Sequence, residues 1–312
     1  MKTEIKIAKI PHGAKGVYSL TFDDGCYGDS TIETVEIFKK VQKETGVKIK
    51  ATSTQTVNFI SPSLLEMWKK LFADGYYDLT SHSVTHCVGY NTDTPEEKRI
   101  YEAQESKKRL EEMYNTNVIT FAIPDGSDTD EGREVLKNYY TAVRSGHEYI
   151  NDVDNLKWYD VGVFVAKFAY SSEDFISNIE KTAELGGWGV QLNHWITYSE
   201  TDKFHAQKAD TFADECEYLA KKCAMGEIAA LSFNEAVKYY RERECAKLNV
   251  TEKEGKIIVK VVCPLEKEIF NQPLTLEISS DKEPHAEGYV FVNRNGKYYT
   301  DILPNGEVEI LF

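Results

Sequence analysis

At 312 residues the chain has room for one large domain and a second, smaller one. Its 51 acidic residues against 37 basic ones give a formal charge of −14. That balance excludes a polyanion such as DNA, RNA or an anionic membrane face as the expected partner, and leaves neutral glycans and small molecules open.

In chain order, residues 3–9 alternate polar and apolar, and HGAKG supplies a turn before the strand VYSLTF. A helix is predicted over 30–44, then a strand at VKIKATS. SPSLLEMWKKLFADG reads as a helix opened by Ser61 and Pro62 and stopped at Gly75. YYDLTS leads into SHSVTH, and a long helix covers about 94–115. Next come the strand VITFAI, the loop PDGSDTD, the helix EGREVLKNY and a strand containing TAVRS. Residues 171–185 are predicted helical, GWGVQL a strand, 206–224 a helix, IAALS the last strand of the series and NEAVKYYRERECA its last helix. Strands that alternate with helices in about seven such units predict a mainly parallel α/β fold closed as a barrel, with working groups at the C-terminal strand ends.

The texture changes near residue 246. KIIVKVVC, LTLEISS, GYVFVNRNGKYYTDI and EVEILF read as strands separated by Gly and Asn turns. The expected domains are therefore 1–245, the α/β domain, and 246–312, a small β-sandwich-like accessory domain. No run reaches the roughly 18 apolar residues of a membrane span. The opening MKTEIKIAKIPHGAKG has no apolar core of a secretory signal, so the sequence as it stands reads as cytoplasmic; a removed leader would place it in the cell envelope or outside the cell. The six cysteines form no CxxC pair and read as free thiols.

Two short stretches carry chemistry. YSLTFDDGCYG ends a strand on adjacent carboxylates, Asp23 and Asp24, whose repulsion asks for a cation, a proton or open water. His82 and His86 are four apart, a spacing that on one helical turn puts both imidazoles on one face. Two histidines and a carboxylate suit zinc or another late first-row metal. One aspartate would then hold the metal and the other would act as base. Taken singly, an HxxxH is often surface decoration and a DDG often a turn. Their joint position at strand-to-loop junctions makes metal-assisted hydrolysis the sharper reading.

TFDDG at 21–25, HSVTH at 82–86 and LNH at 192–194, in that order, resemble motifs one, two and five of the polysaccharide deacetylases, the NodB-homology group or carbohydrate esterase family 4. The similarity spans about residues 14–240, and the resemblance implies a distorted (β/α)7-type barrel. It implies a divalent metal, most often Zn2+, with Co2+ or another first-row ion as alternatives. It also implies hydrolysis of acetyl groups on an acetylated glycan or oligosaccharide, N-acetyl amide slightly ahead of O-acetyl ester. By position the resemblance makes Asp23 the general base, Asp24, His82 and His86 the metal ligands, His194 the general acid, and Leu192 the neighbour of the acetyl methyl.

The pattern also departs from the family. Ala122, in FAIPDG, stands where an arginine that orients the base is expected, and Arg144, on the neighbouring predicted strand, is the candidate to replace it. The fourth motif is indistinct, with Asp152, Asp154 and Asp160 around Trp158. Cys26 follows DDG where proline is usual. Tyr27, Trp158, Trp188 and Trp195 are candidate sugar platforms, because a ring offers flat apolar area to a pyranose; Tyr90 is a further candidate to line a groove. His12, His147, His205 and His285 read as structural or surface residues. Two other functions stay open: hydrolysis of a non-peptide C–N bond in a non-sugar amide, and non-catalytic glycan binding by the retained fold.

Overall fold

The structure is a computed structural model and describes residues 3–87, 94–126, 128–201, 203–253 and 255–312. Two compact units divide the chain: Gly16–Asn234, and Met1–Lys15 together with Glu235–Phe312. The sequence-based division at 245/246 is thus redrawn, because the first strand and most of the last helix fold with the C-terminal residues.

The smaller unit opens with β1 (Glu4–Ile7). The larger unit then runs β2 (Gly16–Phe22), α1 (Gly28–Thr45), β3 (Ala51–Gln55), α2 (Pro62–Ala73), β4 (Tyr77–Ser81), α3 (Glu96–Tyr114), β5 (Thr120–Ala122), α4 (Asp130–Lys137), β6 (Ala142–Glu148), β7 (Val161–Val165), α5 (Ser172–Leu185), β8 (Trp188–Asn193), β9 (Trp195–Thr197), β10 (Ala206–Lys208), α6 (Ala209–Ala224) and β11 (Ile228–Ala230), and enters α7 (Phe233–Cys245). Strands β2 to β8 follow one another in parallel and β8 returns to β2, closing a seven-stranded barrel. The closure is irregular: β11 lies beside residues 16–18 of β2, while β3 meets only Thr21 and Phe22. That split is the distortion of the barrel.

Strand alternation decides what faces where. Tyr18, Leu20 and Phe22 point outward into a core shared with Phe38 of α1, Trp68 of α2 and Phe212 of α6. A second core joins Leu79, Phe121 and Val143 to Ala103 and Leu110 of α3. Truncating a fully buried ring such as Phe38 or Phe212 to Ala would cost about 3–5 kcal/mol. The opposite faces carry Ser19, Thr21, Thr52, Thr54, Thr80 and Thr120, all buried. These short hydroxyls satisfy one another and the chain: Thr80 and Thr120 lie 2.7 Å apart, and the Phe233 amide donates to Thr52 Oγ1 at 2.9 Å.

The helix starts follow their residues. Ser61 Oγ accepts from the Leu64 amide and Pro62 occupies the first turn of α2. Gly46 and Gly186 end α1 and α5 in the left-handed region. Residues 206–208, expected to begin a helix, pair instead with Trp195–Thr197 as β10.

The smaller unit holds two antiparallel sheets, ordered β1-β14-β16-β15 and β12-β13-β17, where β12 is Lys247–Lys253, β13 Lys256–Val262, β14 Leu274–Ser279, β15 Val292–Arg294, β16 Lys297–Ile302 and β17 Glu307–Ile310. Alternate residues Leu274, Leu276 and Ile278, and Val259 and Val261, are buried. No helix among the described residues is long and apolar enough to cross a membrane.

Candidate active site

The C-terminal ends of the barrel strands bring the sequence motifs together. Asp23 and Asp24 leave β2, His82 leaves β4, and His194 follows β8. Gln191 points outward to Glu215 of α6 at 3.1 Å, so alternation turns Leu192, 7% exposed, toward the barrel interior.

Asp24, His82 and His86 offer one ligand atom each, all within 4.8 Å of one another. Asp24 Oδ1 lies 3.8 Å from His82 Nε2 and 3.3 Å from His86 Nε2. His82 Nδ1 sits 2.8 Å from the Ala122 carbonyl, a contact that places the ring proton on Nδ1 and leaves the Nε2 lone pair facing the cluster. Asp24 Oδ1 is buried without a hydrogen-bond partner. A buried carboxylate oxygen with no donor, aimed at two imidazole nitrogens, fits a divalent cation, and the donor set suits zinc.

The backbone is shaped for this. Asp24, Ser83 and His86 all have positive φ, at 73°, 70° and 56°. Non-glycine residues rarely adopt that region, and it persists where surroundings over-determine it. The two histidines therefore meet through a tight loop and not through the helical turn that their spacing suggests. Gly25 has φ +73°, and a Cβ there would fall 2.8 Å from Gln55 Cγ. Trp68 Nε1 donates to the Gly25 carbonyl at 2.8 Å and ties the acidic turn to α2.

Asp23 has a different environment. Arg144 Nη2 donates to both its oxygens, at 2.9 and 2.6 Å, and Thr54 Oγ1 donates to Oδ1 at 2.8 Å. Arg144 on β6 is in register with Ala122 on β5, so the guanidinium reaches the carboxylate from the strand next to the expected position. Burial pushes the Asp23 carboxyl up, but Arg144, then His82, His194 and Thr54, bring it down to about 2. It stays ionised at neutral pH.

His194 is held below the ordinary histidine range, first by burial, against the pull of Asp23 and Asp24; His205 and Arg144 push it the same way as burial. Its ring stacks on His205 with centroids 4.6 Å apart. Asp160, one of the three aspartates around Trp158, contacts His147 Nδ1 at 2.7 Å. The Cys26 thiol is pushed up to about 11 by burial and then by Asp24, which disfavours a thiolate nucleophile.

The aromatic candidates separate. Tyr27 and Trp195 stack with centroids 5.7 Å apart and line a cavity of about 500 Å³ with Cys26, Glu33 and Tyr198. Tyr27 Oη donates to Asp24 Oδ2 at 3.3 Å, linking that cavity to the cluster. Trp188 is a correction: it is fully buried at the N-terminal start of β8, donates to Ser19 Oγ at 2.9 Å and packs on Phe233, so it is core and no sugar reaches it. Trp158 precedes β7 and its carbonyl accepts from Val143; it lies at the strand end away from the cluster. Tyr90 lies outside the described residues. Sequence reasoning missed Thr54, Trp68 and His205, none of which carries a motif of its own.

Residues 11–143 match the family model described as polysaccharide deacetylase. No curated protein matches the chain. Among solved structures, a candidate polysaccharide deacetylase from Mycobacterium smegmatis is 13% identical, with a TM-score of 0.55 over 80% of this chain and 98% of that one. The Xyl-CE4 domain of a multidomain xylanase from the hindgut metagenome of Trinervitermes trinervoides is 14% identical, with a TM-score of 0.49 over 70% and 88%. A family 4 carbohydrate esterase from Streptomyces lividans, in complex with acetate, is 18% identical, with a TM-score of 0.47 over 70% and 93%. At such identity the first of these speaks for the fold alone. The matched segment, less than half of the chain, carries the DDG turn and the HxxxH loop, and over residues 11–143 this chain is similar to the polysaccharide deacetylases.

Proposed function

We propose that the protein is a metal-dependent hydrolase that removes acetyl groups from an acetylated carbohydrate, N-acetyl amide ahead of O-acetyl ester. The observation that carries this reading is the pair of unlike aspartates. Asp24 presents a bare buried oxygen to His82 and His86, while its neighbour Asp23 is fixed by Arg144 and Thr54.

Asp24, His82 and His86 would hold the cation, whose Lewis acidity would polarise an acetyl carbonyl and lower the pKa of a water. Asp23, ionised and immobilised, accepts the proton of the attacking water. Its low pKa makes it a weak base, so it suits a water that is already acidified. His194, across from it after β8, gives a proton to the leaving nitrogen or oxygen. An amide leaving group needs that proton more than an alcohol does, which is the ground for the N-acetyl preference. Leu192 and the Tyr27–Trp195 stack supply apolar surface for the acetyl methyl and a sugar face.

The test pairs elemental analysis with acetate release from N- and O-acetylated sugars, with zinc, cobalt or no added metal. The expected result is about one metal per chain, lost in D24A and retained in D23N, and acetate release that D23N lacks. Metal without acetate from any acetylated sugar would shift the reading to a non-sugar amide or to glycan binding. Unchanged metal stoichiometry in D24A would remove the ligand assignment.

A further inference from the structure

His82 and His86 are secured in different ways. His82 is fixed by the barrel itself: its amide donates to the Gln55 carbonyl at 2.8 Å, and its ring meets the Ala122 carbonyl. His86 is four residues further along a loop with two left-handed residues, Ser83 and His86. Its ring stacks on Phe59 at 5.8 Å, a contact that fixes a plane but not a distance to Asp24. Something must hold the loop.

The holder is Glu102 on α3, 1% exposed. Its Oε2 accepts from the Val84 amide at 2.8 Å and from the Thr85 amide at 3.0 Å, and its Oε1 accepts from Thr85 Oγ1 at 2.6 Å. Both oxygens are thus spent on the two residues just before His86. The opposite side of the loop is bonded to the segment after β3: the Val57 amide donates to the Ser83 carbonyl at 3.1 Å and the Asn58 amide to the Val84 carbonyl at 2.9 Å. Ser83 Oγ accepts from the Cys87 amide at 3.0 Å and closes the far end. Hydrogen bonds to a charged acceptor are about twice as strong as neutral ones, so the carboxylate is the strongest restraint on this loop.

We infer that Glu102 is the positioning residue that sets the metal affinity of the site, by clamping the loop that delivers His86. The inference rests on the metal-centre reading given above. Outer partners of metal ligands typically affect affinity by 10–100-fold, and here the partner acts through the backbone and not through the imidazole.

The experiment is a zinc dissociation constant, measured by competition with a chromophoric chelator, for wild type, E102A, E102Q and T85V, with circular dichroism to establish that each is folded. E102A is expected to bind zinc about 10–100-fold more weakly. E102Q is expected to recover part of that loss, since its amide oxygen still accepts from both backbone N–H groups and its NH2 can donate to Thr85 Oγ1, but without the strength that the charge adds. T85V removes only the hydroxyl contact, and falls between wild type and E102A. In imidazole NMR spectra of E102A, zinc should still shift His82 while His86 responds weakly. A generally loosened fold would affect both rings alike and would not be restored by Gln. Folded E102A with wild-type affinity, or E102Q as weak as E102A, overturns the role of Glu102 and leaves the metal centre standing. Wild type that takes up no zinc overturns the metal centre and this role with it.

Discussion

At the scale of single residues, the site is a study in how one barrel layer separates two adjacent carboxylates. Asp24 turns out through a left-handed backbone to face imidazoles, and Asp23 turns in to face a guanidinium. Arg144 reaches Asp23 from the strand next to Ala122, with which it is in register. If that is the role of Arg144, R144K keeps the positive charge but loses the planar fork. It should keep its zinc and lose about 100-fold in kcat for acetate release, the scale expected when a catalytic group is displaced by an ångström. The double variant A122R/R144A returns a guanidinium to the in-register neighbour and should recover part of that loss over R144A. R144K with wild-type kcat would remove the proposed coupling. The residues of this cluster were legible because three short motifs each put a ligand type at a fixed spacing, and because an alanine in an expected arginine position points to a substitute nearby. Thr54 and His205 were not legible. One depends on strand register and the other on where the β9–β10 excursion returns, and neither leaves a local pattern.

At the scale of elements, helices and strands follow capping and periodicity closely, and the exceptions have tertiary causes. Residues 206–208 look helical but find a strand partner in Trp195–Thr197. On α3 the buried positions are Arg99, Glu102, Ala103, Ser106 and Leu110, a regular helical stripe. A glutamate on such a stripe is a signal in itself, since a buried carboxylate needs donors. The same logic applies to α6. Glu215 is buried between β8 and α6, and its Oε2 accepts from Gln207 at 2.9 Å and Gln191 at 3.1 Å. Burial pushes its carboxyl up, against those two hydrogen bonds, to about 7. An acid whose folded pKa is raised keeps its proton while the unfolded chain has lost it. Stability is therefore highest below about pH 4.5, falls as pH rises toward 7 and levels off above, by roughly 3 kcal/mol for this one group. E215Q removes the titration. Its stability relative to wild type should rise across that window, read from denaturant midpoints at pH 5 and pH 8. A constant difference between the two proteins would mean that Glu215 is ionised in the fold throughout.

At the scale of the whole molecule, the order of the chain and the order of folding units differ. The alternation of strands and helices made the barrel legible, and the run of strands after residue 246 made the β unit legible. What sequence could not disclose is that β1, first in the chain, is an edge strand of the last unit. Its short alternating pattern fits any half-buried strand, and its partner is about 270 residues away: Glu4 to Ile7 pair antiparallel with Ser279 to Leu276. His12 adds to this tie, with its Nδ1 2.9 Å from Asp301 Oδ2 and its amide donating to Thr275 Oγ1 at 2.9 Å. A chain cut after residue 245 would therefore lose more than its tail. The amides of Glu4 to Ile7 would have no strand to bond, and an isolated segment of that length has no stability of its own. Hydrogen exchange followed by mass spectrometry should show protection at residues 4–7 in the full chain and none in the 1–245 chain. Protection along β2 to β8 should persist, because both barrel cores lie within Gly16–Asn234. Zinc affinity should persist as well, since Asp24, His82, His86 and Glu102 all fall in that range. If residues 4–7 stayed protected after the cut, β1 would owe its order to something other than β14. If zinc affinity fell instead, the loop carrying His86 would depend on the C-terminal unit, and the clamp by Glu102 would not be sufficient to hold it.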